Sequence, residues 1–184
     1  MLTMPERSVH VSFFVDTNRI NSRQQLTNMN QLEEWYKKGV IVLEMPEEAY
    51  REAARGNAQR AQKAKYDYSR PLTKPWMRRQ AIRKDIEKAL FPSGVKSANE
   101  RNDVDIVLNT RFYLGILVTN DGDSLRQPRG ILGSREELAE LGITVMRDSD
   151  AVALVRRKIR ERDNMAQEIS RRTGQPLPEW VGKD

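Results

Sequence analysis

Short apolar runs alternate with helical stripes along this chain. Val9 to Val15 is rich in valine and phenylalanine and stops at Asp16-Thr17-Asn18, the pattern of a buried strand running into a loop. Leu26, Met29, Leu32, Trp35 and Tyr36 then recur at helical spacing up to Lys37-Lys38-Gly39, where cations and a glycine form a C-terminal stop. Val40 to Leu43 reads as a second strand. Met45-Pro46-Glu47-Glu48 opens a helix that carries Glu52, with proline suited to the first turn and two acids complementing the positive end of the helix dipole. Ile82, Ile86, Ala89 and Leu90 mark a further helix before the breaker Phe91-Pro92-Ser93-Gly94. Asn102-Asp103 opens the next, whose Ile106, Val107 and Tyr113 lead through Leu114-Gly115 to a third strand, Ile116 to Val118, ending in Thr119-Asn120-Asp121-Gly122-Asp123. Ser134 and Glu137 stand at capping-box spacing, which predicts a short helix from about Arg135 to Leu141. Ile143 to Met146 makes a fourth strand, and Val152, Val155 and Ile159 stripe a long terminal helix from Ser149 to about Arg172. The stretch Gly174-Gln175-Pro176-Leu177-Pro178 reads as a loose tail.

Strands alternating with helices imply crossover connections and a mainly parallel sheet covered on both faces, an α/β fold. At 184 residues one such domain is expected, spanning 1–148 with a helical insertion at 55–100, followed by the helix and tail of 149–184. An apolar content of 38% beside 32% charged residues excludes a disordered or fibrous chain. No window approaches the roughly 20 apolar residues that cross a bilayer. The N-terminus sets Glu6, Arg7, His10 and Asp16 around a short apolar run, unlike a signal peptide, so a cytoplasmic protein without a membrane partner is expected. Zero cysteines exclude disulfides, thiolate zinc sites and cysteine nucleophiles, and one histidine excludes any mechanism that needs two imidazoles. His10 is read as structural, facing the interior or edge of the sheet. The chemistry therefore falls to carboxylates.

The formal charge of +6 is unevenly spread. Residues 55–84 hold ten cations, among them Arg60, Lys63, Lys65, Arg78 and Arg79, against Asp67 alone, a local net of +9 that leaves the remaining residues at −3. Tyr66, Tyr68 and Trp76 lie among them, so the stretch offers phosphate neutralisation together with rings on which bases can stack. Taken alone, such a run is more often a solvated helical face.

Parallel sheets place ligand sites beyond the carboxyl ends of their strands, at a switch point. Asp16 and Asp121 each follow a strand, and those two strands are expected to be neighbours at the sheet centre. Acids gathered at one edge repel, and a hard divalent cation is the usual reason for them to meet. Asp16, Glu52, Asp103, Asp121 and Asp123 are the candidates. Singly, Asp103 is a plausible helix cap, Asp121 before Gly122 a turn former, and Glu52 a surface acid paired with Arg51 or Arg55. Together they form a set.

That set, in its order, resembles the PIN-domain nucleases. The pieces that carry the resemblance are Phe14-Val15-Asp16-Thr17-Asn18 and Leu117-Val118-Thr119-Asn120-Asp121, with a glutamate on the helix after strand two and Asp103 eighteen residues before Asp121. The match spans most of residues 9–146. It implies a three-layer α/β/α sandwich in which Asp16, Glu52, Asp103 and Asp121 gather around Mg²⁺ or Mn²⁺, with Asp123 as an auxiliary ligand. Thr119 would hold the acidic loop by its hydroxyl, and Asn18 would position Asp16. The implied activity is metal-dependent endonucleolytic cleavage of RNA, of which a toxin in a toxin–antitoxin pair is one version, with an inhibitory protein as its partner. Asp105 competes with Asp103 for one role, Glu48 lies one turn before Glu52, and the 55–100 insertion and long terminal helix exceed the compact family pattern. These additions suit an RNA-binding rim, a partner-binding arm or a homodimer contact, with packing of the helix on its own domain as the default.

Two readings from other classes stand beside this one. The same fold could serve as a non-catalytic nucleic-acid-binding or scaffold module. An aspartyl-phosphate enzyme would use Asp16 as nucleophile, but that chemistry wants a second acid two residues on, where Asn18 stands. No G-x-G-x-x-G follows the first strand, which argues against a dinucleotide enzyme.

Overall fold

A computed structural model describes residues 3–56, 58–70, 79–122 and 129–184. The described chain is an α/β fold on a four-stranded, all-parallel sheet. Its strands are β1 (Ser12–Val15), β2 (Val42–Glu44), β3 (Ile116–Val118) and β4 (Thr144–Met146), in the order β2-β1-β3-β4. β1 and β3 are therefore the central pair, with Phe13 opposite Ile116 and Val15 opposite Val118. Phe13, Phe14 and Val15 are all fully buried, as expected of a strand covered on both faces. Gly115 admits Phe14: a Cβ there would stand 2.3 Å from the ring. Tyr113 stacks on the same ring at 5.7 Å between centroids.

Among the described residues seven α-helices accompany the sheet: α1 (Thr27–Lys37), α2 (Glu47–Gly56), α3 (Ala58–Tyr66), α4 (Arg79–Leu90), α5 (Ala98–Phe112), α6 (Arg135–Glu140) and α7 (Asp148–Thr173). α1 packs on α7 and β2 through Met29, Leu32 and Trp35, while α2 packs on α3 and α5, and α4 on α5 and α6. Among the described residues no helix is long and apolar enough to cross a membrane.

The structure corrects several expectations. His10 has φ +53°, which ends the extended run before β1, and its ring is 76% exposed beside Glu6 at 3.9 Å. It faces solvent and not the sheet interior. α5 begins four residues earlier than expected, because Ser97 and Glu100 form a capping box: Ser97 accepts from the Glu100 N–H and Glu100 accepts from the Ser97 N–H. Asp103 thus sits in the second turn. The box expected at Ser134 does not form, since Ser134 ends a 3-10 turn at φ −103°, ψ 15° and not in the extended conformation a cap requires, yet α6 still starts at Arg135.

The tail after α7 is not loose. The Asp184 side chain is enclosed and bonded by Arg7 at 2.5 Å and Arg162 at 3.1 Å, and the Arg162 guanidinium lies over the Trp180 ring at 4.2 Å. Arg162 also donates to the Arg7 carbonyl, so the tail ties α7 to the lead-in of β1. The insertion is likewise anchored: Ser69 bridges the open edge of β2, giving an N–H to the Leu43 carbonyl at 3.1 Å and taking one from Met45 at 2.9 Å.

Candidate functional site

β1 and β3 deliver their following loops side by side, and a side-chain network stitches those loops together. The Asp16 carboxylate accepts from the Thr17 N–H at 2.6 Å, the Asn18 amide at 2.6 Å and the Thr119 hydroxyl at 2.5 Å. Thr119 Oγ1 in turn accepts from the Asp121 N–H at 3.0 Å, and Asn18 Oδ1 accepts from the Asn120 N–H at 3.1 Å. One short polar web therefore fixes the ends of both central strands.

Thr17 adds a third connection that the sequence reading passed over. Its N–H binds Asp16, its hydroxyl donates to Glu52 Oε2 at 3.0 Å, and its carbonyl accepts from the Arg60 guanidinium. A single buried residue thereby gathers an acid of the sheet edge, an acid of α2 and a cation of α3. The only prior signal was its place between Asp16 and Asn18.

The Asp121 loop is closed by glycine. Gly122 has φ +88°, and a Cβ on Gly130 would stand 2.5 Å from Asp121 Oδ2 and from the Gly122 nitrogen. With both side chains absent, the Ile131 N–H reaches Asp121 Oδ2 at 2.8 Å and the Leu132 N–H reaches the Asp121 carbonyl at 2.9 Å. Gly130 and Ile131 hold the carboxylate, and neither was flagged by its residue type. Asp123 lies outside the described residues.

Asp16, Glu52, Asp103 and Asp121 share one electrostatic neighbourhood. Burial pushes Asp16 up to about 6; bonds from Thr119 and Thr17 oppose that rise, and the charges of Asp121 and Glu52 add to it. Burial also pushes Asp103 up to about 7, reinforced by Asp121, Asp16 and Glu52. The competing candidates are engaged elsewhere: Asp105 pairs with Arg83, and Glu48 accepts from Asn109. The Asp103 carboxylate makes no hydrogen bond or ion pair among the described residues, although those of Asp16, Glu52 and Asp121 all do.

As donors, four carboxylates fit a hard divalent cation and no soft metal. Asp16 spends one lone pair of Oδ1 and two acceptor positions of Oδ2 on the protein, leaving capacity at Oδ1. The set is not already closed: among the described residues no three His, Cys, Asp or Glu side chains form a group that could hold a metal ion.

The basic stretch divides. Lys63 does not face solvent; its ammonium is buried against Glu33 at 2.7 Å and Asp67 at 2.9 Å, and Tyr68 donates to the same Glu33 at 2.7 Å. Burial pulls the Lys63 ammonium down, but the two carboxylates outweigh it and hold its pKa above the ordinary value. This correction removes Lys63 from any nucleic-acid surface and Tyr68 from any stacking platform. Lys65 is exposed, 5.0 Å over the Tyr66 ring, and Arg60 is half-buried at Thr17. Arg79 opens α4, and Arg78 and Trp76 lie outside the described residues.

Comparison of the chain with family models, with curated proteins and with solved structures finds no match.

Proposed function

We propose that this chain is a PIN-like, metal-dependent ribonuclease that hydrolyses RNA phosphodiester bonds at the acid cluster, in a fold of three α/β/α layers. The observation that carries the reading is the convergence of acids from separate elements at the loops that follow the central strands: Thr17 joins Asp16 to Glu52, Thr119 joins Asp16 to the Asp121 loop, and Asp103, raised first by burial, also feels the charges of Asp121, Asp16 and Glu52. Mg²⁺ or Mn²⁺ is the partner that relieves such repulsion with an all-oxygen donor set. Asp16, Glu52, Asp103 and Asp121 would hold it, with Asp123 as a further oxygen donor. When bound, a cation of this kind activates water and offsets the charge that builds on a phosphate in flight.

The protein's own residues would do the rest. Thr119, Asn18 and Thr17 hold Asp16 in one orientation, so little reorganisation is left for the moment of reaction. Arg60, anchored at the Thr17 carbonyl, brings a guanidinium to the same edge for a phosphate oxygen. The test is a cleavage time course on labelled single-stranded RNA, structured RNA and DNA with Mn²⁺, Mg²⁺ or EDTA. Metal-dependent RNA cuts that vanish in Asp121→Asn support the reading; equal cutting by the variant refutes it.

One observation favours a second reading, a nucleic-acid-binding or scaffold module. Among the described residues the acids form no metal-binding group of three, and three protein donors occupy Asp16. Salt-dependent RNA binding without product in either metal would select it.

A further inference from the structure

Asn18 ties the two central loops together, and its own position is set from outside the acid cluster. Its amide nitrogen donates to Asp16 Oδ2 at 2.6 Å and to Thr119 Oγ1 at 3.1 Å, while its side-chain oxygen accepts from the Asn120 N–H at 3.1 Å. These bonds need one rotamer on one backbone orientation. Asn18 is nevertheless exposed, so packing alone does not hold it there.

Arg19, the last residue of the 3-10 turn Thr17–Arg19, supplies the hold. Its Nε donates to the Asn18 carbonyl at 3.1 Å and its Nη1 to Asp148 Oδ2 at 3.2 Å. A guanidinium offers its donors in a fixed planar fork, so the two bonds together set where the Asn18 peptide lies relative to the first residue of α7. The ion pair is largely enclosed, with 14% of the Arg19 and 13% of the Asp148 side chain exposed, whereas the pairs of Arg157 with Glu161 and Arg171 with Glu168 on α7 lie in solvent. Asp148 is itself fixed, because its other oxygen accepts from the Ser149 N–H at 2.9 Å. Pairing with Asp148 offsets the Arg19 charge, so what this arginine brings to the acid cluster is geometry. Its two partners stand one and 129 residues away in the chain, so no local pattern announces the connection.

We propose that Arg19, held by Asp148, is a positioning residue for the acid cluster: it fixes the Asn18 peptide and, through Asn18, the orientation in which Asp16 meets a divalent cation. The inference rests on the metal-dependent reading above and adds the start of α7 to the elements that shape that site. Removing a partner that orients a metal ligand from behind weakens binding by about 10–100-fold. Arg19 acts through one further residue, so the lower end of that range is expected. A purely structural ion pair would instead change stability and leave cation affinity where it was.

The test titrates Mn²⁺ into the full chain by calorimetry, at a temperature where urea unfolding shows every variant to be folded. Asp121→Asn marks the part of the signal that belongs to the acid cluster. Arg19→Ala should weaken that binding about tenfold and Asp148→Ala by a similar factor. The double variant should bind no more weakly than Arg19→Ala, since the two substitutions remove one connection. Arg7→Ala takes a cation from Asp184 at the tail and should leave Mn²⁺ affinity unchanged. In RNA cleavage, Arg19→Ala should lower kcat with KM for RNA unchanged, because this guanidinium is spent on Asn18 and Asp148. Wild-type Mn²⁺ affinity in Arg19→Ala, an equal loss in Arg7→Ala, or losses that multiply in the double variant would overturn the inference alone. Absence from the wild type of any Mn²⁺ signal that Asp121→Asn removes would overturn the metal-dependent reading and this inference with it.

Discussion

Neutralising Asp103 should make the protein more stable, although nothing is added to its packing. The Asp103 carboxyl is raised from 3.8 to about 7 by burial and by Asp121, Asp16 and Glu52. Because the folded state holds this proton more tightly than the unfolded state, the stability the protonated group contributes is complete below about pH 4 and is lost as the pH climbs through about 7. A shift of about three units corresponds to a ceiling of roughly 4 kcal/mol at neutral pH. Asp103 keeps some solvent contact and titrates in the same field as Asp16, so the expected gain for Asp103→Asn is about 1–2 kcal/mol. Asparagine is nearly isosteric, and Asp103 forfeits no hydrogen bond among the described residues.

The assay is urea unfolding in EDTA at about pH 8 and about pH 4. The variant should outlast wild type at the higher pH, and the advantage should shrink towards zero at the lower one. Loss of stability in Asp103→Asn, or a gain equal at both pH values, would refute the electrostatic account. The same substitution at Asp16 is a useful contrast: Asn18, Thr119 and Thr17 all donate to that carboxylate, so an amide must turn a donor towards at least one of them. Asp16→Asn should therefore gain less than Asp103→Asn, or lose stability, although its own carboxyl is raised to about 6.

Further expectations follow from other contacts. Gly130→Ala places a methyl 2.5 Å from Asp121 Oδ2 and should displace the acidic loop, costing about 1–3 kcal/mol in thermal unfolding and, under the proposed function, most of the cleavage rate. Lys63→Met strands buried Glu33 without its cation and should cost about 3–5 kcal/mol in urea, while leaving the salt dependence of any RNA binding unchanged. Burial raises the Asp184 carboxyl, but bonds from Arg7 and Arg162 outweigh it and hold its pKa below the ordinary value, so its contribution is present above about pH 4 and is lost as the pH falls through the folded pKa. Asp184→Asn should accordingly lower the melting temperature near neutral pH, with the difference from wild type disappearing in acid, and Trp180 emission should report release of the tail.

Local pattern carried the sheet well and its decorations poorly, for a physical reason. β3 occupies the expected Ile116–Val118, and β2 and β4 differ by a residue or two, because each strand lies in a short apolar run bounded by turn residues. The acids at the strand ends were legible too, since a loop that follows a parallel strand is placed by topology alone. Local cues with more than one outcome misled. Ser97-Ala98-Asn99-Glu100 formed the capping box while Ser134 with Glu137 did not, and the difference lies in the backbone entering each serine. Nor could composition separate the cations of residues 55–84. Lys63 is drawn inward by Glu33, thirty residues earlier on α1, with Tyr68 completing the cluster, and the tail is drawn inward by Arg7 at the far end of the chain. A charge run states how many cations there are; which of them meet solvent depends on acids supplied by elements distant in sequence. For the same reason, the stretch with the highest charge density need not be the surface that binds an anion.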